Sequence, residues 1–146
     1  MRSAAIILFL ACSFAAFGQL SDPGRFAGAW IGTFNSQPTK LAPDGSYPEV
    51  VNRFRLELLA RNRVLNGSLT PVTGTDQSPR PISHAGLFHN KLCFDVDLDQ
   101  IDQRWCVVAK GDRMTGVWTN GPEGGKLLAG MGGGARLFSI QARRAR

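Results

Sequence analysis

The sequence predicts an all-β domain closed as an eight-stranded antiparallel up-and-down barrel, and three observations lead there. After an N-terminal apolar run, apolar and polar residues alternate in eight short stretches with no sustained helical period. The connections between these stretches alternate between tight turns and long loops rich in glycine and proline. Glycine also recurs inside three stretches, at Gly32, Gly67 and Gly116, each two residues before a large apolar side chain. A glycine there weakens a strand unless the backbone must bend or approach a neighbour closely, as a curling sheet requires.

The chain opens with Arg2, an apolar run from Ala4 to Phe17, and the small residues Ala16 and Gly18 around Phe17. This pattern is a secretory signal peptide over residues 1–18. Its apolar run of about 14 residues is shorter than the roughly 20 needed to span a bilayer as a helix. A rival reading makes Cys12 a lipid-modified cysteine, for which Phe9 is a poor flanking residue. Cleavage after Gly18 leaves residues 19–146 as one domain, secreted or periplasmic, without an integral membrane segment. It also removes Cys12 and leaves Cys93 and Cys106, an even number in an exported chain, so the two are expected to pair.

The eight predicted strands are 27–35, 52–60, 63–70, 80–88, 91–98, 103–110, 113–120 and 135–142. The fifth and sixth form a hairpin around KLCFDVDLDQIDQRWCVVAK. One register sets Cys93 opposite Cys106, Phe94 opposite Trp105 and Asp95 opposite Arg104. Leu92, Phe94, Val96, Trp105 and Val107 then share the inner face, with the disulfide and the Asp95–Arg104 pair outside. Alternation likewise turns Trp30, Phe54, Leu56 and Trp118 inward and Arg53, Arg55 and Glu57 outward. The formal charge is +6, and Arg143, Arg144 and Arg146 read as a solvated basic tail, not as nucleic-acid recognition.

No catalytic or metal-binding constellation can be assembled from these residues. DVDLDQID begins like a calcium loop but lacks its central glycine and the acidic residue at position twelve, where Cys106 stands. Asp97 faces Asp102 near the hairpin tip, and with Asp99 these read as a charged, solvated rim or a weak cation site. His84 and His89 fall on opposite strand faces without a ligand partner at suitable spacing. GPEGGK is a residue short of a phosphate loop, and no glycine-x-serine-x-glycine elbow occurs. The NGS at Asn66 matches a glycosylation acceptor but sits in a predicted strand.

Read together, the segments AGAWIGTF, FRLELLARNRVLNGSLTPV, DQSPRPISHAGLFHNKLCFDV, MTGVWTNG and ARLFSIQAR resemble, in this order, a known family. It is the small β-domain that precedes the catalytic domain of some secreted bacterial α/β-hydrolases and serine hydrolases. The chain ends where that catalytic domain would begin, so the resemblance implies no hydrolase activity. In outline the sequence is also similar to lipocalin-type (calycin-like) barrels, whose early glycine-x-tryptophan appears as Gly28-Ala29-Trp30.

The expected function is a non-catalytic binding or interaction module. The alternative is a stand-alone accessory domain acting beside a separate hydrolase. The long loops, at 35–50, 71–79 and 121–134, accumulate on one end of a meander together with the tip at Asp97, Asp99 and Asp102. Trp30, Phe34, Phe54, Phe94, Trp105 and Trp118 are either packed core or the lining of a site for a small apolar ligand or a protein partner at that end. No cofactor is implied. Export is checked by sequencing the N-terminus of the secreted protein, which should begin at or within a few residues of Gln19; a lipidated Cys12 at the N-terminus would overturn the assignment.

Overall fold

The computed structural model describes residues 22–36, 42–46, 48–98, 101–120 and 137–146, with the side chain of Ile101 outside the description. The expected signal peptide, Asp99 and the loop 121–134 lie outside the described residues. A 3₁₀ turn, η1 (Pro23–Phe26), leads into β1 (Gly28–Ser36), β2 (Val50–Arg61), β3 (Val64–Pro71), β4 (Arg80–Pro81) and β5 (Ser83–Phe88). Then follow β6 (Lys91–Leu98), β7 (Ile101–Lys110), β8 (Arg113–Asn120) and β9 (Phe138–Arg144). Among the described residues no helix is long and apolar enough to cross a membrane.

All strand pairs are antiparallel, and the sheet order is β4-β3-β2-β1-β9-β8-β7-β6-β5. Pairing of the last strand with the first turns the meander back on itself, and the two sheet edges, β4 and β5, are neighbours in the chain separated only by Ile82. The fold is therefore a nearly closed antiparallel barrel. Among the described residues it has nine strands and not the expected eight, because the stretch 80–88 divides its pairing at Ile82. Pro81 and Arg80 lie beside Ser68 and Leu69 of β3, whereas Ser83 onward pairs with β6. Proline has no N–H to donate, so a ladder through Pro79 and Pro81 is short by nature. The amide of Ile82 still donates to the Gly67 carbonyl at 3.0 Å, which holds the crossing point against β3.

The last strand also differs from expectation. It runs over Phe138–Arg144, with Phe138, Ile140 and Ala142 turned inward. Arg143 and Arg144 belong to the barrel wall and not to a solvated tail. The alternation continues into the arginines, and the inward row ends where Arg144 reaches the barrel end.

Trp30, Phe54, Leu56, Phe94 and Trp105 are fully buried, and Phe34 and Trp118 nearly so. The expected registers hold: Cys93 pairs with Cys106 and is disulfide-bonded to it, Phe94 faces Trp105, and Asp95 faces Arg104. Gly32, Gly67 and Gly116 lie where strands press together; a Cβ on Gly32 would strike the Gln141 carbonyl, and one on Gly67 the Glu57 carbonyl. The facing is corrected on the stapled side, where Cys93 is buried and Cys106 half-buried although the disulfide was expected outside. Asp95 points outward, as expected, but only 8% of it is exposed. A bulge between Ser83 and Gly86 brings His84 over it, and Arg104 covers its other side.

Trp105 stands at the centre of the interior, with ring centroids of Phe34, Phe54 and Phe94 at 5.2, 5.1 and 5.9 Å. Its indole N–H donates to the side-chain carbonyl of buried Gln103 at 3.0 Å, which satisfies the one polar atom it brings inside. Truncating Trp105 to alanine should cost about 3–5 kcal/mol in denaturant unfolding, as removal of a large core side chain does; a cost near zero would show that these rings do not form the core.

Candidate functional site

The two ends of the barrel are built differently. At the end where β1 begins, Asp22 caps η1 by accepting from the Gly24 amide at 2.8 Å, and Pro23 pre-sets the first position of the turn. The turn carries Phe26, fully buried, and packs against both β2 and β7. The Trp30 indole donates to the Phe26 carbonyl at 2.8 Å. Arg144, arriving from β9, stacks with its guanidinium carbon 4.3 Å from the Trp30 ring centroid. It donates to the carbonyls of Ala27 and Arg25, each at 2.6 Å. Arg25 in turn donates to the Asn90 carbonyl in the β5–β6 turn at 2.5 Å, strapping η1 across this end. The turns here are short: Asn62 and Arg63 both take left-handed φ between β2 and β3, and Gly111 does so between β7 and β8. This is the closed end.

The opposite end holds the long connections. At the strand ends here Trp118 of β8 stacks on Phe138 of β9 with centroids 4.6 Å apart and planes 21° apart. Phe34 of β1 meets Trp118 edge-on at 6.2 Å, which joins this layer to Trp105 below. The Trp118 indole donates to the Asn35 carbonyl at 2.8 Å, and Asn35 donates its side-chain amide to Glu49 at 2.9 Å. Three of the nominated aromatics, Trp118, Phe34 and Trp105, therefore form one run of ring contacts, with Phe54 and Phe94 flanking Trp105. Trp30 does not join them: it lies at the closed end beneath Arg144. Phe138, weighed in the sequence with these aromatics as core or ligand lining, stands beside Trp118 at this end.

Charge divides along the same axis among the described residues. The long-loop end carries Asp44, Glu49, Asp76, Asp97 and Asp102 against Arg53 and Arg80. The closed end carries Arg61, Arg63, Lys91, Lys110, Arg113, Arg143 and Arg144 against Asp22 and Asp112. Asp97 and Asp102 are exposed and directly cross-strand, as expected, and no group of three or more metal-ligating side chains occurs among the described residues. The Ser78 hydroxyl and amide, with Arg80 behind them, hold the Asp76 carboxyl below its ordinary range, and Ser46 does the same for Asp44. These rim carboxylates stay ionised to lower pH than free ones.

A second constellation was not legible in the spacing. His84, at φ 48°, sits in the β5 bulge with Nδ1 at 3.1 Å from Oδ2 of Asp95, while Arg104 donates to Oδ1 at 3.0 Å. A carboxylate at Nδ1 orients an imidazole as it does in a general base. Among the described residues no hydroxyl or thiol is hydrogen-bonded to His84, and the neighbouring Cys93 is in its disulfide. The cluster braces the β5–β6–β7 wall.

No family model matches the chain, and no curated protein matches it. Among solved structures the chain is similar to a crystal structure of a mutant of the fluorescent protein UnaG, at 12% identity and a TM-score of 0.48, over 84% of this chain and 98% of that one.

The Asp76 turn makes a pH prediction. A carboxyl whose folded pKa lies below its unfolded value stabilises its turn above the unfolded pKa, and that contribution is lost as pH falls through the folded one. The Ser78 amide resonance should titrate on acidification with a midpoint below the ordinary value of 3.8. A midpoint at or above 3.8 would contradict the assigned hydrogen bonds.

Proposed function

We propose that the protein is an exported, non-catalytic binding module that takes a small, flat apolar ligand at the long-loop end of its barrel, against Phe34, Trp118 and Phe138. The observation that carries this reading is the difference between the ends. Phe26, Trp30 and Arg144 fill the closed end with a packed, hydrogen-bonded plug. The other end has a layer of stacked rings near the strand ends that lead into its long connections. A ring stack offers a new ring the same offset and edge contacts it already makes, and loops above it can change shape without disturbing the ladder. Below that layer Trp105 is packed by Phe34, Phe54 and Phe94, so the ligand rests on the rim layer and not at the barrel centre. Asp97 and Asp102, with Asp99 between them in sequence, give the rim a negative charge that disfavours anionic ligands.

Export is supported by the N-terminal apolar run and by the Cys93–Cys106 disulfide, which persists in oxidising compartments. A second reading rests on the order of the five segments that resemble the hydrolase-linked β-domain: a stand-alone accessory that contacts a separate secreted hydrolase through the same end.

The test is a titration with a neutral or cationic aromatic dye, read by tryptophan fluorescence in the wild type and in Trp118→Leu, with hydrogen exchange of the bound protein. Binding at the rim predicts quenching, affinity about tenfold or more weaker in the variant, and protection of residues near Asn35 and Val72. Protection of the turns at Asn62, Asn90 and Asp112 instead would show that the opposite end binds. A purified complex with a hydrolase, unaffected by the dye, would favour the accessory reading.

A further inference from the structure

The outer wall near the closed end carries two arginines that the barrel leaves unneutralised. Arg113 of β8 and Arg143 of β9 are direct cross-strand partners, and Arg143 is in turn opposite Ile31 of β1. Like charges facing each other across a ladder are unfavourable by themselves. Elsewhere on this wall the chain neutralises such a group: Arg55, the next residue in the same cross-strand row, has Glu57 at 2.8 Å. Among the described residues neither Arg113 nor Arg143 has a carboxylate within ion-pair distance. Both are exposed.

The two arginines also flank a cavity of about 280 Å³ on the outside of the barrel. The row above them, Thr115, Gln141 and Thr33, lines the same cavity and is held in register across β8, β9 and β1. Its side chains point outward, because the alternate positions Met114, Ala142 and Phe34 are buried. Gly32 also lines this groove and lets β1 press against β9, where a Cβ would collide with the Gln141 carbonyl and with Ala142. Two guanidinium forks, two hydroxyls and an amide thus converge on one hollow, on the basic half of a chain whose formal charge is +6.

We propose that this groove binds a tetrahedral oxyanion of the phosphate or sulfate class. Arg113 and Arg143 bridge it, and Thr33, Thr115 and Gln141 donate to its remaining oxygens. Arginine suits the role because its planar fork offers paired N–H donors and stays charged at every accessible pH. The anion replaces the missing counter-charge between two strands, so binding also relieves the cross-strand repulsion. The site is on the outer wall of β1, β8 and β9 and is independent of the long-loop end, so either can fail without the other.

The test uses the full oxidised protein at low ionic strength, where screening is weakest. Inorganic phosphate and inorganic sulfate are titrated in turn while amide resonances are followed, alongside flotation with vesicles containing phosphatidylglycerol. The variants are Arg113→Gln with Arg143→Gln, and, as a control of equal charge change, Arg61→Gln with Lys91→Gln. The expected result is saturable movement of the Thr33, Thr115 and Gln141 amides, weakened about tenfold or more in the first variant, the worth of one charge-assisted hydrogen bond, and less than about twofold in the control. The first variant, relieved of its like-charge pair, should be at least as stable as the wild type without anion, so folding does not confound the result. Vesicle binding that inorganic phosphate competes away, and that the first variant loses, assigns the anion to a lipid headgroup; ion binding without vesicle binding assigns it to a free anion. Shifts spread over all basic residues, equal weakening in both variants, or no saturation at the three amides would overturn the proposal.

Discussion

Arg144 is the group on which the closure of this barrel depends. A meander closes only if its last strand returns to its first, and here β9 pairs with β1 over Trp30 to Phe34. The seam ends at Arg144, whose guanidinium lies flat on Trp30 and donates to the Ala27 and Arg25 carbonyls. Those carbonyls belong to a short turn with no sheet to satisfy them, and a charged planar donor meets two of them at once. Its amide also donates to the Asp112 carbonyl at 2.9 Å, so one residue joins β9, the β7–β8 turn and the N-terminal segment. The cation–π contact is strong where water is excluded, and Trp30 is fully buried.

The rest of the interior follows from that closure. With one end occupied by Phe26 and Trp30, the remaining rings form one connected set: Phe54 and Phe94 about Trp105, Phe34 touching Trp105 and Trp118, and Trp118 stacked on Phe138. The alternation of short and long connections decides which end can vary, and the plug decides which end cannot. Among the described residues charge follows the same division, net acidic at the long-loop end and basic at the plug.

Much of this was legible in the alternation of the sequence. The hairpin register could be read because three independent pairs, the cysteines, Phe94 with Trp105 and Asp95 with Arg104, demand the same alignment. The inward set could be read because a strand has only two faces. What escaped was what alternation does not encode. The break at Ile82 depends on two distant strands, β3 and β6, dividing one stretch between them. The covering of Asp95 depends on a bulge with His84 at positive φ, a conformation that sequence patterns rarely flag. Arg144 looked like part of a solvated tail because its neighbours Arg143 and Arg146 share its charge, and only the N-terminal turn reveals its role. In the candidate site Trp30 was nominated with the other rings because composition cannot say at which end of a barrel an inward residue lies.

Native-state hydrogen exchange of Arg144→Gln tests the central role of Arg144 most directly. Three closed-end amides report on it: Ala27 donating to Gly24, Arg144 itself in the wild type and Gln in its place, donating to Asp112, and Ala145 donating to Ala29. If Arg144 holds the seam, these should exchange at least about tenfold faster in the variant, while the β6–β7 ladder around the disulfide keeps its protection. Unchanged exchange at Ala27 and Ala145, or a uniform loss of protection across the whole barrel, would show that closure does not depend on Arg144.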